Sequence, residues 1–127
     1  MSGSVWKPLV GPVENWPLAV CDRSSINQAE DIVIHDAVFA ESLVETGELL
    51  FSDRHKFFYL SDQRVDEGLV ILQTDSATGH GQSHVRSRIK CSGLQCLGTP
   101  HASFELPEAS KLHKTRESIE IRTLVFY

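Results

Sequence analysis

Residues 117–127, ESIEIRTLVFY, alternate along their length: Ile119, Ile121, Thr123 and Val125 fall on one side, and Ser118, Glu120 and Arg122 on the other, with Arg116 continuing the polar side. A period of two puts successive side chains on opposite faces of a strand, so this segment predicts a β-strand with one apolar and one polar face. No amphipathic helical pattern longer than two turns occurs anywhere in the chain, so helices cannot supply the layers of the fold. What remains is a set of short runs rich in β-formers: LAVC (18–21), IVIHDAVF (32–39), ELLFS (48–52), KFFYLS (56–61) and LVILQTD (69–75). Together they predict a mainly β fold, a sheet sandwich or barrel.

Local signals sharpen that outline. The opening, VWKPLVGPVENWP, carries Pro8, Pro12 and Pro17 and is expected to be extended and irregular. Residues 23–31 are polar and read as turns, or as one helical turn capped by Ser25. The runs 48–52 and 56–61 flank Asp53-Arg54-His55 and read as a β-hairpin. The 69–75 run is apolar on both faces, as in an interior strand. Trp6, Trp16, Phe57, Phe58 and Tyr59 read as packing anchors, and Cys21 as core.

At 127 residues the chain fits a single domain, 1–127, with a hydrophobic content of 41% that can form a core. A formal charge of −5 and a pI near 5.6 argue against nucleic acid or an anionic membrane surface as partner. No apolar run approaches the roughly 20 residues of a membrane span. The start, MSGSVWKPL, has neither the basic region nor the apolar segment of a secretory signal. Three cysteines (Cys21, Cys91, Cys96) cannot all pair, so reduced thiols and a cytoplasmic location are expected.

The residues able to do chemistry cluster late in the chain. On a solvated sheet, Arg116-x-Ser118-x-Glu120-x-Arg122 would be an exposed face of cross-strand charge pairs. Inside a barrel, the Arg116 guanidinium would instead present a planar fork to a carboxylate, with the Ser118 hydroxyl adding a hydrogen bond. His101 stands in TPHASFE, fifteen positions before Arg116. A neutral imidazole at the start of one strand and an Arg-x-Ser at the start of the next suit a metal and an anionic co-substrate sharing a barrel mouth. A site of two histidines and one carboxylate with open positions is the arrangement that selects ferrous iron.

The segments WKPL-x-GPVE-x-WPLAVCD (6–22), FFYL (57–60), TDSATG (74–79), TPHASFELP (99–107) and RESIEIRTLVF (116–126) resemble the fungal hydroxylase/desaturase family named for asaB, related to gibberellin desaturase-like and CmcJ-type proteins. The resemblance is to the C-terminal portion of that family and spans nearly the whole chain outside 80–98. It implies a partial double-stranded β-helix, a jelly-roll or cupin-like barrel truncated on its N-terminal side. It implies oxidation of a small organic substrate in fungal secondary-metabolite biosynthesis, as in mycotoxin-type gene clusters, with Fe(II) and 2-oxoglutarate. By position, His101 corresponds to the distal iron-ligand histidine, Arg116 and Ser118 to the co-substrate Arg-x-Ser, and Arg122 to a second candidate for the carboxylate. The family's other ligands are expected from an upstream His-x-Asp. None of the six histidines here is followed by x-Asp or x-Glu, and His35-Asp36 are adjacent, so their side chains leave a strand on opposite faces. One of three iron ligands is present.

The interval 80–98 departs from the family. From Ser76 to Phe104 there is no acidic residue, while Arg86, Arg88, Lys90, Cys91 and Cys96 all lie there. A surface insertion, translated intron, and a zinc knuckle formed by His80, His84, Cys91 and Cys96 are the three readings, the last matching no common zinc module. Three functions follow: an oxidoreductase of the hydroxylase/desaturase type, a non-catalytic β-domain binding a small acid through Arg116 and Arg122, and a zinc-knuckle interaction protein. A barrel short of strands leaves open sheet edges, which favour self-association.

Overall fold

The computed structural model describes residues 2–74, 98–107 and 115–126. In chain order these form β1 (Ser2–Pro8), β2 (Leu18–Cys21), a 3-10 turn (Arg23–Ser25), one helical turn α1 (Gln28–Asp31), β3 (Ile32–Val38), β4 (Leu43–Leu49), β5 (Phe57–Tyr59), β6 (Leu69–Thr74), β7 (His101–Ser103) and β8 (Ser118–Leu124). The strands make two three-stranded sheets, β6-β1-β8 and β5-β2-β7, and a separate hairpin β3-β4. Every pairing is antiparallel. The mainly β expectation, a partial double-stranded β-helix, is met. Residues 80–97 of the basic interval 80–98 lie outside the described residues.

Register decides which side chains meet. In β1, Ser4, Trp6 and Pro8 are buried while Val5 and Lys7 are exposed. Trp6 stands opposite Leu69 of β6 and Glu120 of β8, and Ser4 opposite Ile71 and Arg122. Directly opposed residues share a face, so this row of side chains points toward the second sheet. There Leu18 joins Trp6 and Ile71 in the core, with Val20 and Leu69 packed against it. The two sheets are therefore held face to face by one apolar cluster. The Gln73 amide donates to the fully buried Ser4 hydroxyl at 3.0 Å, so the polar atom in this layer is partnered. The outer face of the first sheet is apolar too: Val70, Val5 and Ile121 form one exposed row across its three strands.

Several local expectations need correction. The opening is irregular only in part: Ser2–Pro8 is the central strand of the first sheet, with its proline at the strand end where no ladder is interrupted, while residues 9–17 are irregular as expected. The run expected to be interior is described only to Thr74, as β6. Among the described residues β6 pairs only with β1, and its Val70 is 83% exposed while Ile71 is 2% exposed. Residues 48–52 and 56–61 do not form a hairpin: Leu43–Leu49 pairs with β3, and Phe57–Tyr59 crosses to β2. Nor does Ser25 cap a helix. Asp22 caps the 3-10 turn, its carboxylate accepting from the Ser24 amide at 2.9 Å and the Ser24 hydroxyl at 2.8 Å, and Asn27 caps α1. The Ser24 contacts hold the Asp22 carboxyl below its ordinary range. Trp6 and Cys21 are buried as expected, but Trp16, Phe57, Phe58 and Tyr59 are exposed. The last three sit on β5, which among the described residues has a neighbouring strand on one side only.

The chain is diverted from the expected hairpin by a buried ionic knot. Asp31 closes α1, and its carboxylate accepts from the Asn27 amide at 2.7 Å and from Arg54 Nη2 at 2.9 Å. Its Oδ2 also lies 3.0 Å from His55 Nε2. The Asp31 and His55 side chains are only 6% and 4% exposed. The Leu50 amide bonds to the Asp31 carbonyl at 2.7 Å. Residues 50–55 are thus tied back onto the helical turn, which aims β5 at β2 rather than at β4.

The face assignment is tested by neighbours on one strand. Ile71→Ala should lower stability by about 2–5 kcal/mol, whereas Val70→Ala should stay within about 0.5 kcal/mol, read from urea unfolding. The hydrogen bond from His55, then that from the Asn27 amide, lowers the Asp31 carboxyl below the usual carboxylate range. A lowered folded-state pKa contributes stability above the ordinary value of about 3.9, lost as pH falls through the folded one. The stability gap between the parent chain and Asp31→Asn should therefore be full near neutral pH and close progressively in acid below about pH 4.

Candidate functional site

The second sheet delivers the site. Val20 stands opposite Phe58 on one side and His101 on the other, so Phe58, Val20 and His101 form one row on the face turned toward the first sheet. Ser103 lies beside Leu18 in the next row of the same face. Residues 98–100 bring β7 into place. The Thr99 amide bonds to the Leu72 carbonyl of β6, and the Pro100 carbonyl accepts from the Cys21 amide of β2, each at 2.8 Å. Gly98 makes this approach feasible: a Cβ there would lie 2.6 Å from the Gln73 carbonyl oxygen and 2.9 Å from its Cα.

His101 is half-buried and its Nδ1 donates to the Thr99 carbonyl at 2.8 Å. A carbonyl only accepts, so Nδ1 carries the proton and a neutral ring keeps its lone pair on Nε2. An imidazole anchored in this way is oriented as metal-ligating histidines are. Among the described residues, however, no group of three or more His, Cys, Asp or Glu side chains converges to hold a metal. One nitrogen ligand fits an iron site. The described residues do not complete it.

The anion end is more fully built. Arg116 precedes β8, where the Leu9 amide bonds to the Glu117 carbonyl at 2.8 Å and extends the β1-β8 pairing. From this end of the first sheet its guanidinium reaches the second: Nη1 donates to Ser103 Oγ at 2.6 Å and to the Trp16 carbonyl. The same group lies 5.4 Å from the centre of the Trp6 ring, a cation-π contact in which the ring face meets the positive charge. Trp16 adopts φ 50°, a left-handed backbone that a bulky residue takes only under constraint. Its carbonyl is one of the two acceptors on Nη1.

The structure thus links Arg116 to His101 through Ser103, which shares a strand face with the histidine two residues away. Ser118 is half-buried opposite Pro8, on the sheet face that carries Trp6. Arg122 is not brought to this cluster. It lies four residues beyond Ser118, roughly 13 Å along the strand, with its side chain 81% exposed and Nε 3.9 Å from Glu120 Oε1. His80, His84, Cys91 and Cys96 lie outside the described residues, so the zinc-knuckle arrangement has no geometry to compare. Ser103 and the platform role of Trp6 were missed in the sequence. The first could have been found by carrying the alternation of β7 from His101 to its next same-face residue. Gly98→Ala should cost about 1–3 kcal/mol through backbone collision, measured by denaturant unfolding.

Comparison with known proteins places the chain among fungal oxidoreductases. Aspirochlorine biosynthesis protein N of Aspergillus oryzae is 34% identical over 128 residues, covering 98% of this chain and 47% of that protein. The Fe(II)/2-oxoglutarate-dependent dioxygenase nvfI of Aspergillus novofumigatus is 34% identical over 124 residues, covering 97% and 39%. The hydroxylase/desaturase asaB of Aspergillus flavus is 29% identical and is covered to 54%. The chain therefore spans about half or less of these relatives. A solved structure of the iron and alpha-ketoglutarate-dependent endoperoxidase NvfI superposes with a TM-score of 0.70 at 33% identity, covering 95% of this chain and 40% of that one. The family model described as oxidoreductase/YMDC permease-like domain matches residues 4–126. No described helix is long and apolar enough to cross a membrane. On the extent of that match, the chain belongs to the oxidoreductase/YMDC permease-like domain family.

Proposed function

We propose that this chain is the co-substrate-binding part of an Fe(II)/2-oxoglutarate-dependent hydroxylase or desaturase acting on a small organic intermediate of fungal secondary metabolism. The observation that carries the reading is the Arg116 guanidinium, held between the two sheets by Ser103 and the Trp16 carbonyl and sharing the inward space with His101. A cation fixed in that way binds the distal carboxylate of a 2-oxo acid in one orientation. Ser118, next along the same face, is the hydroxyl suited to assist it. His101, with Nε2 open, is the metal ligand this chain contributes. Phe58 shares the row of His101 and is 58% exposed, so it is placed to contact an apolar part of a substrate. Arg122 is left outside the grip because it is solvent-facing and distant along the strand. When bound, ferrous iron would supply the oxidising chemistry, and the residues here anchor its co-substrate.

A second reading is favoured by one specific observation: no group of three or more His, Cys, Asp or Glu side chains converges to hold a metal among the described residues. On that reading the chain binds a small acid at Arg116 and turns nothing over. Titration calorimetry of the chain with 2-oxoglutarate, with and without Mn(II) as a redox-inert stand-in for Fe(II), separates the two. The first reading expects binding that strengthens with metal. It also expects a loss of about tenfold or more in Arg116→Ala, the size of one charge-assisted hydrogen bond, and loss of the metal effect in His101→Ala. Binding without metal coupling supports the second reading. No heat with 2-oxoglutarate under either condition, or unchanged binding in Arg116→Ala, would overturn both.

A further inference from the structure

We infer that Ser103 is a positioning residue which, with the Trp6 ring and the Trp16 carbonyl, fixes Arg116 so that it offers a ligand only its Nε–H/Nη2–H edge. This rests on the reading of Arg116 as the carboxylate grip. A guanidinium can meet a carboxylate end-on, through Nη1 and Nη2, or side-on, through Nε and Nη2. Here both protons of Nη1 are already directed at protein acceptors, one at Ser103 Oγ at 2.6 Å and one at the Trp16 carbonyl. End-on binding would break one of those two bonds, the one to Ser103 being part-buried and the one to the Trp16 carbonyl exposed. Side-on binding breaks neither. The ring face under the guanidinium, 5.4 Å from its carbon, sets the plane in which that edge lies.

The placement also explains why the serine lies on β7. His101 and Ser103 project from one face of a three-residue strand, separated by one intervening residue and therefore by about 7 Å. One short, rigid element sets both the histidine that faces a metal and the hydroxyl that orients the arginine. The distance between the two ends of a bound 2-oxo acid is then fixed by strand geometry rather than by loop conformation.

The test begins on the ligand-free chain, by nitrogen-15 NMR of the arginine side chains. The Arg116 Nε–H signal, identified by its loss in Arg116→Lys, should be shifted upfield by the Trp6 ring. In Ser103→Ala it should move toward the free-arginine position, and Ser103→Thr, which restores a hydroxyl, should return it. Adding 2-oxoglutarate to the parent chain should move Nε–H downfield, and an Nε–H unmoved at saturating 2-oxoglutarate overturns the side-on assignment. By calorimetry Ser103→Ala should weaken 2-oxoglutarate roughly three- to tenfold, the effect of one neutral hydrogen bond acting through another group, while Mn(II) affinity is unchanged. An Nε–H signal and an affinity both indifferent to Ser103→Ala overturn the positioning role and leave the functional reading standing if Arg116→Ala still loses binding. Affinity unchanged in Arg116→Ala sinks the functional reading instead, and the ligand-free spectra still decide whether Ser103 orients the arginine. Thermal unfolding of each variant identifies any that has merely lost its fold.

Discussion

Trp6 is asked to do two things at once, and the arrangement of the two sheets follows from how it does them. Its ring joins Leu18 and Ile71 in the cluster that holds the sheets together, and the same ring lies under the Arg116 guanidinium. An apolar ring can serve both because its edge and face differ electrostatically: the face tolerates a cation that aliphatic core residues would reject. Replacing it by leucine would keep much of the burial and lose the platform. Sheet packing and the seating of Arg116 are therefore coupled through one side chain.

How far this was legible in the sequence depends on range. The alternation of β8 and the burial of Trp6 and Cys21 followed from periodicity and composition, because a strand's two faces are written into successive residues. The partnering of strands was not. Residues 56–61 sit close enough to 48–52 to suggest a hairpin, yet β5 goes to β2 because Arg54 and His55 are drawn onto Asp31, a contact across more than twenty positions. Likewise β1 is central only because strands from the far end of the chain flank it. Its prolines advertised irregularity, and only pairing shows that Pro8 falls where a missing N–H does no harm. At the candidate site, His101, Arg116 and Ser118 were singled out through a resemblance in their motifs. Ser103 was not, because its importance lies in what Arg116 reaches once the sheets have closed.

The site is also lopsided. The proposed anion end has a cation with two acceptors and an aromatic floor, whereas the proposed metal end has one oriented imidazole among the described residues. Such asymmetry fits a chain spanning about half or less of the relatives it matches. Pre-organised binding of a small acid needs rigidity near one guanidinium, which a pair of short sheets provides. A metal centre needs ligands converging from several elements, and among the described residues only β7 offers a candidate.

The β3-β4 hairpin joins neither sheet, and most of its side chains face water, including Val33, Ile34, Val38 and Leu43. Its base is moored by the Asp31 knot, while Phe39 and Ser42 close its far end by a 2.8 Å bond. A two-stranded ribbon of this kind can open as a cooperative unit of its own, at a free energy below that of global unfolding. Amide protons in 32–49 should accordingly exchange with solvent through sub-global openings that leave β2, β7 and the arginine clamp intact. Insertions or substitutions near residues 39–42 would then register as changes in local protection, and the geometry around His101 would be insulated from them by the mooring at Asp31.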